Sequence, residues 1–156
     1  MSRRLPPLLR RAWFSLNQAF RQRLIPLGIT PDQYTILRWL NEGDPHGLTQ
    51  SEITQHMASD PNTITATVRR MERAGLLERL PHESDRRAKR VRLLPHGKAT
   101  FSRAQTLAVE LQDNVLGCLT PEQSRAFLEL LERVANAASE ETSLKKSTAD
   151  APGASS

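Results

Sequence analysis

Apolar residues recur at three-to-four spacing along most of this chain, the period of helices that bury one face. Leu5, Leu9, Ala12, Leu16, Ala19, Phe20 and Leu24 form the first stripe and predict a helix over roughly 6–26. Later starts are marked by caps. In "ITPDQY", Thr30 precedes Pro31, and Gln33 sits three residues on, which is a capping box flanked by Ile29 and Tyr34 as a staple. "LTQSEI" repeats the logic with Thr49, Glu52, Leu48 and Ile53, "SDPNTI" offers Asp60 and Pro61, and "LTPEQS" offers Thr120, Pro121 and Gln123.

These signals predict helices over roughly 31–42, 50–58, 61–74, 95–117 and 121–142, with Gly75 as a left-handed stop. Short alternating runs predict two strands at about 76–81 and 89–94, with Val91 and Leu93 inward and Arg90 and Arg92 outward. From Ser143 the chain turns to Ser, Thr, Ala, Lys and Pro, a composition that predicts a disordered tail over 143–156.

The helices over 50–58 and 61–74 leave only Ser59 and Asp60 between them, which is a helix-turn-helix. In the second of them Ile64, Val68 and Met71 share one face. Asn62, Thr63, Ala66, Arg69, Arg70 and Arg73 fall largely on the other. Small polar groups followed by arginines suit a major groove, where the first approach base edges and the second reach bases or phosphates. The hairpin after this unit makes it a winged helix-turn-helix. The fold class is therefore mainly α with a small two- or three-stranded β wing.

Charge sharpens this picture. The net value of +5 is unevenly spread: +6 over 1–25, −4 over 26–68, +5 over 69–92 and −2 over 93–156. Five of the seven residues from Arg86 to Arg92 are basic, and the wing tip, with Arg86, Arg87 and Lys89, is placed to meet a second groove. Clustered charge of this kind favours a polyanion partner. The arginines of the second helix also read as ordinary i,i+4 partners for Glu72.

The residues "LTQSEITQHMASDPNTITATVRRMERAGLLER", followed by Asp85-Arg86-Arg87, Val91, Leu93 and a closing Gly97, resemble the MarR family of bacterial transcription regulators over about 5–142. The resemblance implies a dimerisation helix in 1–30, a DNA-binding lobe over 31–95, further dimerisation helices over 96–142 and the tail beyond. It implies a homodimer on double-stranded DNA with an inverted-repeat operator. Arg87 becomes the minor-groove arginine and Asp85 its orienting carboxylate. Asn62, Thr63 and Thr65 lie near bases, and Arg70 near bases or phosphates. Ala66 stands where many members carry Arg.

Many members bind small aromatic acids between the dimerisation helices and the DNA-binding lobe. By that resemblance Arg38 and Asn17 receive a carboxylate, and Trp13, Tyr34 and Trp39 belong to the site. The reading independent of the family places these aromatics in the core or in a subunit interface. The resulting expectation is a repressor released by a small aromatic acid. The alternative kept beside it is a ligand-independent architectural or non-specific nucleic-acid-binding protein.

Other classes find little support. No apolar run approaches the roughly 20 residues of a membrane span, the arginine-bearing N-terminus lacks the apolar stretch of a secretory signal, and a cytoplasmic protein is expected. Cys118 stands alone and reads as a buried, inert thiol. The histidines at 46, 56, 82 and 96 lack close metal-ligand spacing. No nucleophile elbow, carboxylate pair or phosphate loop suggests an enzyme or a cofactor.

Overall fold

The computed structural model describes residues 4–85 and 88–149, with side chains to 143. Its order is α1 (Leu5–Leu24), a 3-10 turn (Ile25–Leu27), α2 (Pro31–Glu42), β1 (Leu48–Thr49), α3 (Gln50–Met57), α4 (Pro61–Arg73), β2 (Leu77–Pro81), β3 (Lys89–Leu93), α5 (Pro95–Leu116) and α6 (Pro121–Ala149). The chain divides into two compact units, 1–112 and 113–156.

The caps read from sequence form as hydrogen bonds. Thr30 Oγ1 accepts from Gln33 N at 3.2 Å while Gln33 Oε1 accepts from Thr30 N at 3.1 Å. Thr49 and Glu52 reciprocate in the same way, with Glu52 Oε2 accepting from Thr49 N at 2.7 Å. Asp60 Oδ2 accepts from Thr63 N at 3.0 Å, and Thr120 and Gln123 complete a further box. Each satisfies donors that a helix start otherwise leaves without partners. Gly75 takes φ +71 as the expected left-handed stop.

In the first unit, Leu24, Ile29, Ile36, Leu37, Leu40, Ile53, Ile64, Val68, Met71, Leu77, Val91 and Phe101 form one buried core. α4 contributes through Ile64, Val68 and Met71, as its periodicity predicts, and through Thr67. The sheet has the order β1-β3-β2, all antiparallel. Its third strand is the two-residue β1, which pairs Leu48 with Val91 and Thr49 with Arg90. Gly97 lets α5 approach the sheet, since a Cβ there would overlap the Leu76 carbonyl.

Several expectations change. Val91 and Leu93 are buried as expected, but Arg90 does not simply face out. Its Nη1 donates to Gly47 O at 2.9 Å, its Nη2 meets His82 Nε2 at 3.2 Å, and its Nε is buried. Arg92 pairs with Glu78, its cross-strand neighbour. Glu72 bonds Arg79 on β2 at 2.8 Å, not the arginines of its own helix. Cys118 is exposed, because it falls in the turn after α5 ends. Finally, α6 runs to Ala149, so the backbone over 143–149 is helical and not a loose tail. Extending an existing helix needs no new nucleus, and Leu, Lys and Ala propagate it well.

Candidate nucleic-acid interface

The candidate surface begins at the turn between α3 and α4. Ala58 takes φ +46 there, the only positive-φ residue other than glycine among the described residues. Asp60 then caps α4 and also accepts from Thr63 Oγ1 at 3.3 Å. With Ile64, Thr67, Val68 and Met71 buried, α4 has one face left, and it carries Asn62, Thr63, Ala66, Arg69, Arg70 and Arg73, all exposed.

The arginines of this face differ in commitment. Arg70 Nη2 donates to the buried Thr67 Oγ1 at 3.2 Å, which steadies its guanidinium along the helix. Arg69 and Arg73 make no hydrogen bond or ion pair among the described residues. Glu72, on the same helix, is drawn away by Arg79, which donates to it through Nε at 2.9 Å. That bond, chiefly, holds the Glu72 carboxyl below its ordinary range.

Thr65 is half-buried, and its hydroxyl is occupied. It donates to Pro61 O at 2.9 Å and accepts from Gln50 Nε2 at 3.2 Å. Gln50 was not among the residues singled out by sequence, because a bond across 15 positions leaves no local signature.

A cleft of about 280 Å³ lies between the start of α3 and the wing, lined by Thr49, Gln50, Ser51, Ala88 and Lys89. Lys89 is exposed at its edge. The wing turn is closed by His82 N donating to Ala88 O and Ala88 N donating to Asp85 O, each at 3.2 Å. Asp85 is exposed, and Arg86 and Arg87 lie outside the described residues.

The residues suggested for an aromatic acid separate into smaller groups. Arg38 sits over the Trp39 ring at 5.2 Å, and Trp39 stacks on His56 at 4.2 Å and 13°. Arg38 Nε and Trp39 Nε1 are buried with no hydrogen-bond partner among the described residues. His56 is an addition that spacing could not reveal. Tyr34 lies in an aromatic row, edge-on to Phe20 at 5.0 Å and stacked on Phe101 at 5.7 Å. Burial pushes its phenol up from its ordinary value, against the lowering charge of Arg38. Asn17 is half-buried, and Trp13, 66% exposed, stacks on no ring among the described residues.

Comparison with known proteins places this geometry. The MarR family profile matches residues 29–89. The HTH-type transcriptional repressor Rv2887 of Mycobacterium tuberculosis is 30% identical over 127 residues, covering 81% of this chain and 90% of that protein. The chain belongs to the MarR family. Among solved structures, the M. tuberculosis MarR family protein Rv2887 in complex with DNA superposes with a TM-score of 0.72 at 28% identity, covering 85% of this chain and 98% of that one. The same protein in complex with salicylic acid gives 0.69 at 29%, covering 85% and 97%. The MarR fold thus accounts for the six helices and the three-stranded wing sheet, and MarR proteins are DNA-binding transcription regulators.

Proposed function

We propose that this MarR protein is a homodimeric, sequence-specific repressor released from DNA by a small aromatic acid. The observation that carries the reading is the outer face of α4. It presents small groups at the start and arginines after them, with the Arg69 and Arg73 side chains making no hydrogen bond or ion pair among the described residues. In a major groove, Asn62 and Thr63 meet base edges, while Arg69, Arg70 and Arg73 serve bases and phosphates. Lys89 and the wing arginines 86 and 87 supply a second contact, with Arg87 in the minor groove and Asp85 orienting it.

Uncovered apolar faces support the homodimer. Leu5, Leu8, Leu9, Trp13, Phe14 and Leu16 of α1 are all at least 40% exposed. Phe127, Leu128, Leu130 and Val134 of α6 are likewise exposed. Apolar surface on this scale favours association with a second copy. Two copies of α4 imply an inverted repeat with half-site centres about 10 base pairs apart.

The deciding experiment is selection of genomic duplex fragments by the purified protein, followed by footprinting. The proposal expects a protected inverted repeat. It also expects affinity to fall roughly a thousandfold or more between 50 and 200 mM salt, if about 6–10 phosphates are neutralised. Equal binding to any duplex would support the non-specific architectural reading instead.

A further inference from the structure

Among the described wing arginines, Arg90 is the one whose surroundings bind it to all three parts of the sheet. It sits on the central strand β3, reaches Gly47 just before β1, and meets His82 just after β2. We propose that Arg90 and His82 form a clasp that positions the wing for DNA, and that the clasp requires a neutral His82. This rests on the DNA-binding reading above and adds two positioning residues to it.

The protonation state follows from donor and acceptor roles. A guanidinium only donates, so His82 Nε2, 3.2 Å from Arg90 Nη2, must accept and carries no proton. The single proton of the neutral ring is then on Nδ1, which lies 3.1 Å from Ser84 Oγ, an acceptor. Ser84 N also approaches Nδ1, at 3.3 Å, but two accepting nitrogens are impossible in a neutral imidazole. Both donors are permanent, but the bond from the guanidinium is charge-assisted and about twice as strong as one from a neutral amide, and Ser84 Oγ can take the Nδ1 proton, so the arginine contact decides between them.

A proton added to Nε2 faces the guanidinium donor directly. Two like charges and two donors then meet where one bond stood. Arg90 remains held by the Gly47 carbonyl, so it is the imidazole that leaves. With it goes the side-chain tie at the point where His82 N closes the hairpin on Ala88 O, next to Lys89. Among the described residues, the other charged groups here are Asp44, which feels Arg90 and is bonded to His46 ahead of β1, and Glu83, Asp85 and Lys89 in the turn of the hairpin. Asp44 is already engaged by His46 through backbone and side chain.

The clasp predicts an unusual sign. Protonating an exposed histidine beside DNA ordinarily strengthens binding to a polyanion. Protonating His82 should weaken it. His82→Gln separates the two effects, because the amide oxygen can occupy the acceptor position of Nε2 and does not titrate. Arg90→Lys keeps the charge and loses the two-point bridge.

The first test uses the protein alone. Long-range proton–nitrogen NMR at about pH 8, where histidine is ordinarily neutral, should show His82 with its proton on Nδ1. A proton on Nε2 would overturn the clasp. The second test uses a duplex that the protein itself selects from a random pool at the same pH. Acidification to about pH 5.5 should weaken wild-type binding relative to His82→Gln by roughly fivefold or more. Arg90→Lys should bind weakly at both values. Identical pH profiles for wild type and His82→Gln overturn the clasp while leaving the DNA-binding reading intact. If no duplex is selected at any pH, it is the DNA-binding reading that fails.

Discussion

Gln50 Nε2 donates to Thr65 Oγ1 at 3.2 Å, tying the first residue of α3 to the middle of α4. The Thr65 hydroxyl proton is committed to Pro61 O. One side chain therefore joins the two helices of the DNA-binding unit and fixes the first turn of α4. Thr65→Val removes both bonds and strands the Gln50 amide. Each bond of this kind contributes about 0.5–1.5 kcal/mol, so the unfolding free energy from urea titration should fall by at least that much, and the midpoint with it. An unchanged midpoint would show that the bond contributes nothing.

The second prediction separates base reading from anchoring. Asn62→Ala should relax preference at one or two positions within each half-site, at about 1–3 kcal/mol of lost discrimination. Arg87→Ala should instead weaken binding several-fold, more where the flanking minor groove is A·T-rich and narrow. Competition assays across a library of operator variants distinguish the two patterns. If both variants lose affinity uniformly across the library, the division of labour is wrong.

The third prediction is a dimer. Sedimentation at micromolar concentration should give about twice the 17.5 kDa of the chain. Phe127→Glu, which places charge on an exposed apolar face of α6, should shift the population toward monomer and weaken operator binding with it. A wild-type monomer at that concentration would remove the basis for a two-fold operator.

What was legible in the sequence was what acts over three or four residues. Thr30 with Gln33, Thr49 with Glu52, and Asp60 with Thr63 are local bonds, so spacing alone gives the helix starts and with them the helix-turn-helix. The apolar positions Ile64, Val68 and Met71 give the buried face of α4 for the same reason. Side chains that choose partners across the fold were not legible. Glu72 has arginines at neighbouring helical positions yet bonds Arg79, because the β2 strand brings a guanidinium and a backbone N–H to the same carboxylate. Arg90 alternates with inward residues, as an outward residue should, but its length lets it fold back to a carbonyl 43 positions away. Trp39 and His56 meet only because α2 and α3 pack together.

The Glu72–Arg79 pair gives a pH prediction of definite sign. Bonding to Arg79 lowers the Glu72 carboxyl from its ordinary 4.5. A depressed acid contributes stability above its unfolded value and loses it as pH falls through the folded one. The side chains are 23% and 34% exposed, and solvent screening limits the pair to about 1 kcal/mol or less. Glu72→Gln should therefore lower the urea midpoint at about pH 7, and the difference from wild type should shrink below about pH 4. A difference that grows on acidification would contradict this assignment.

The last prediction concerns the effector. Arg38 Nε and Trp39 Nε1 are buried donors with no hydrogen-bond partner among the described residues, and such groups are ordinarily satisfied. A carboxylate reaching α2 would answer these donors, while the Trp39 face is already stacked on His56. A relative in the same family has been seen in complex with salicylic acid. Binding at α2 acts on DNA only if the ligand prefers a dimer whose two α4 helices have the wrong separation, and DNA must then weaken the ligand by the same factor. A preference of about 100-fold, near 3 kcal/mol, suffices to release an operator. Benzoates, salicylates, hydroxycinnamates and their thioesters should be titrated into the protein–operator complex, with fluorescence anisotropy as the readout. At least one should lower DNA affinity, and the operator should lower its affinity in turn. Arg38→Ala should keep DNA binding and lose the response. If Arg38→Ala responds as wild type does, the acid binds elsewhere and this assignment of Arg38 fails, while the role of α4 on DNA is untouched.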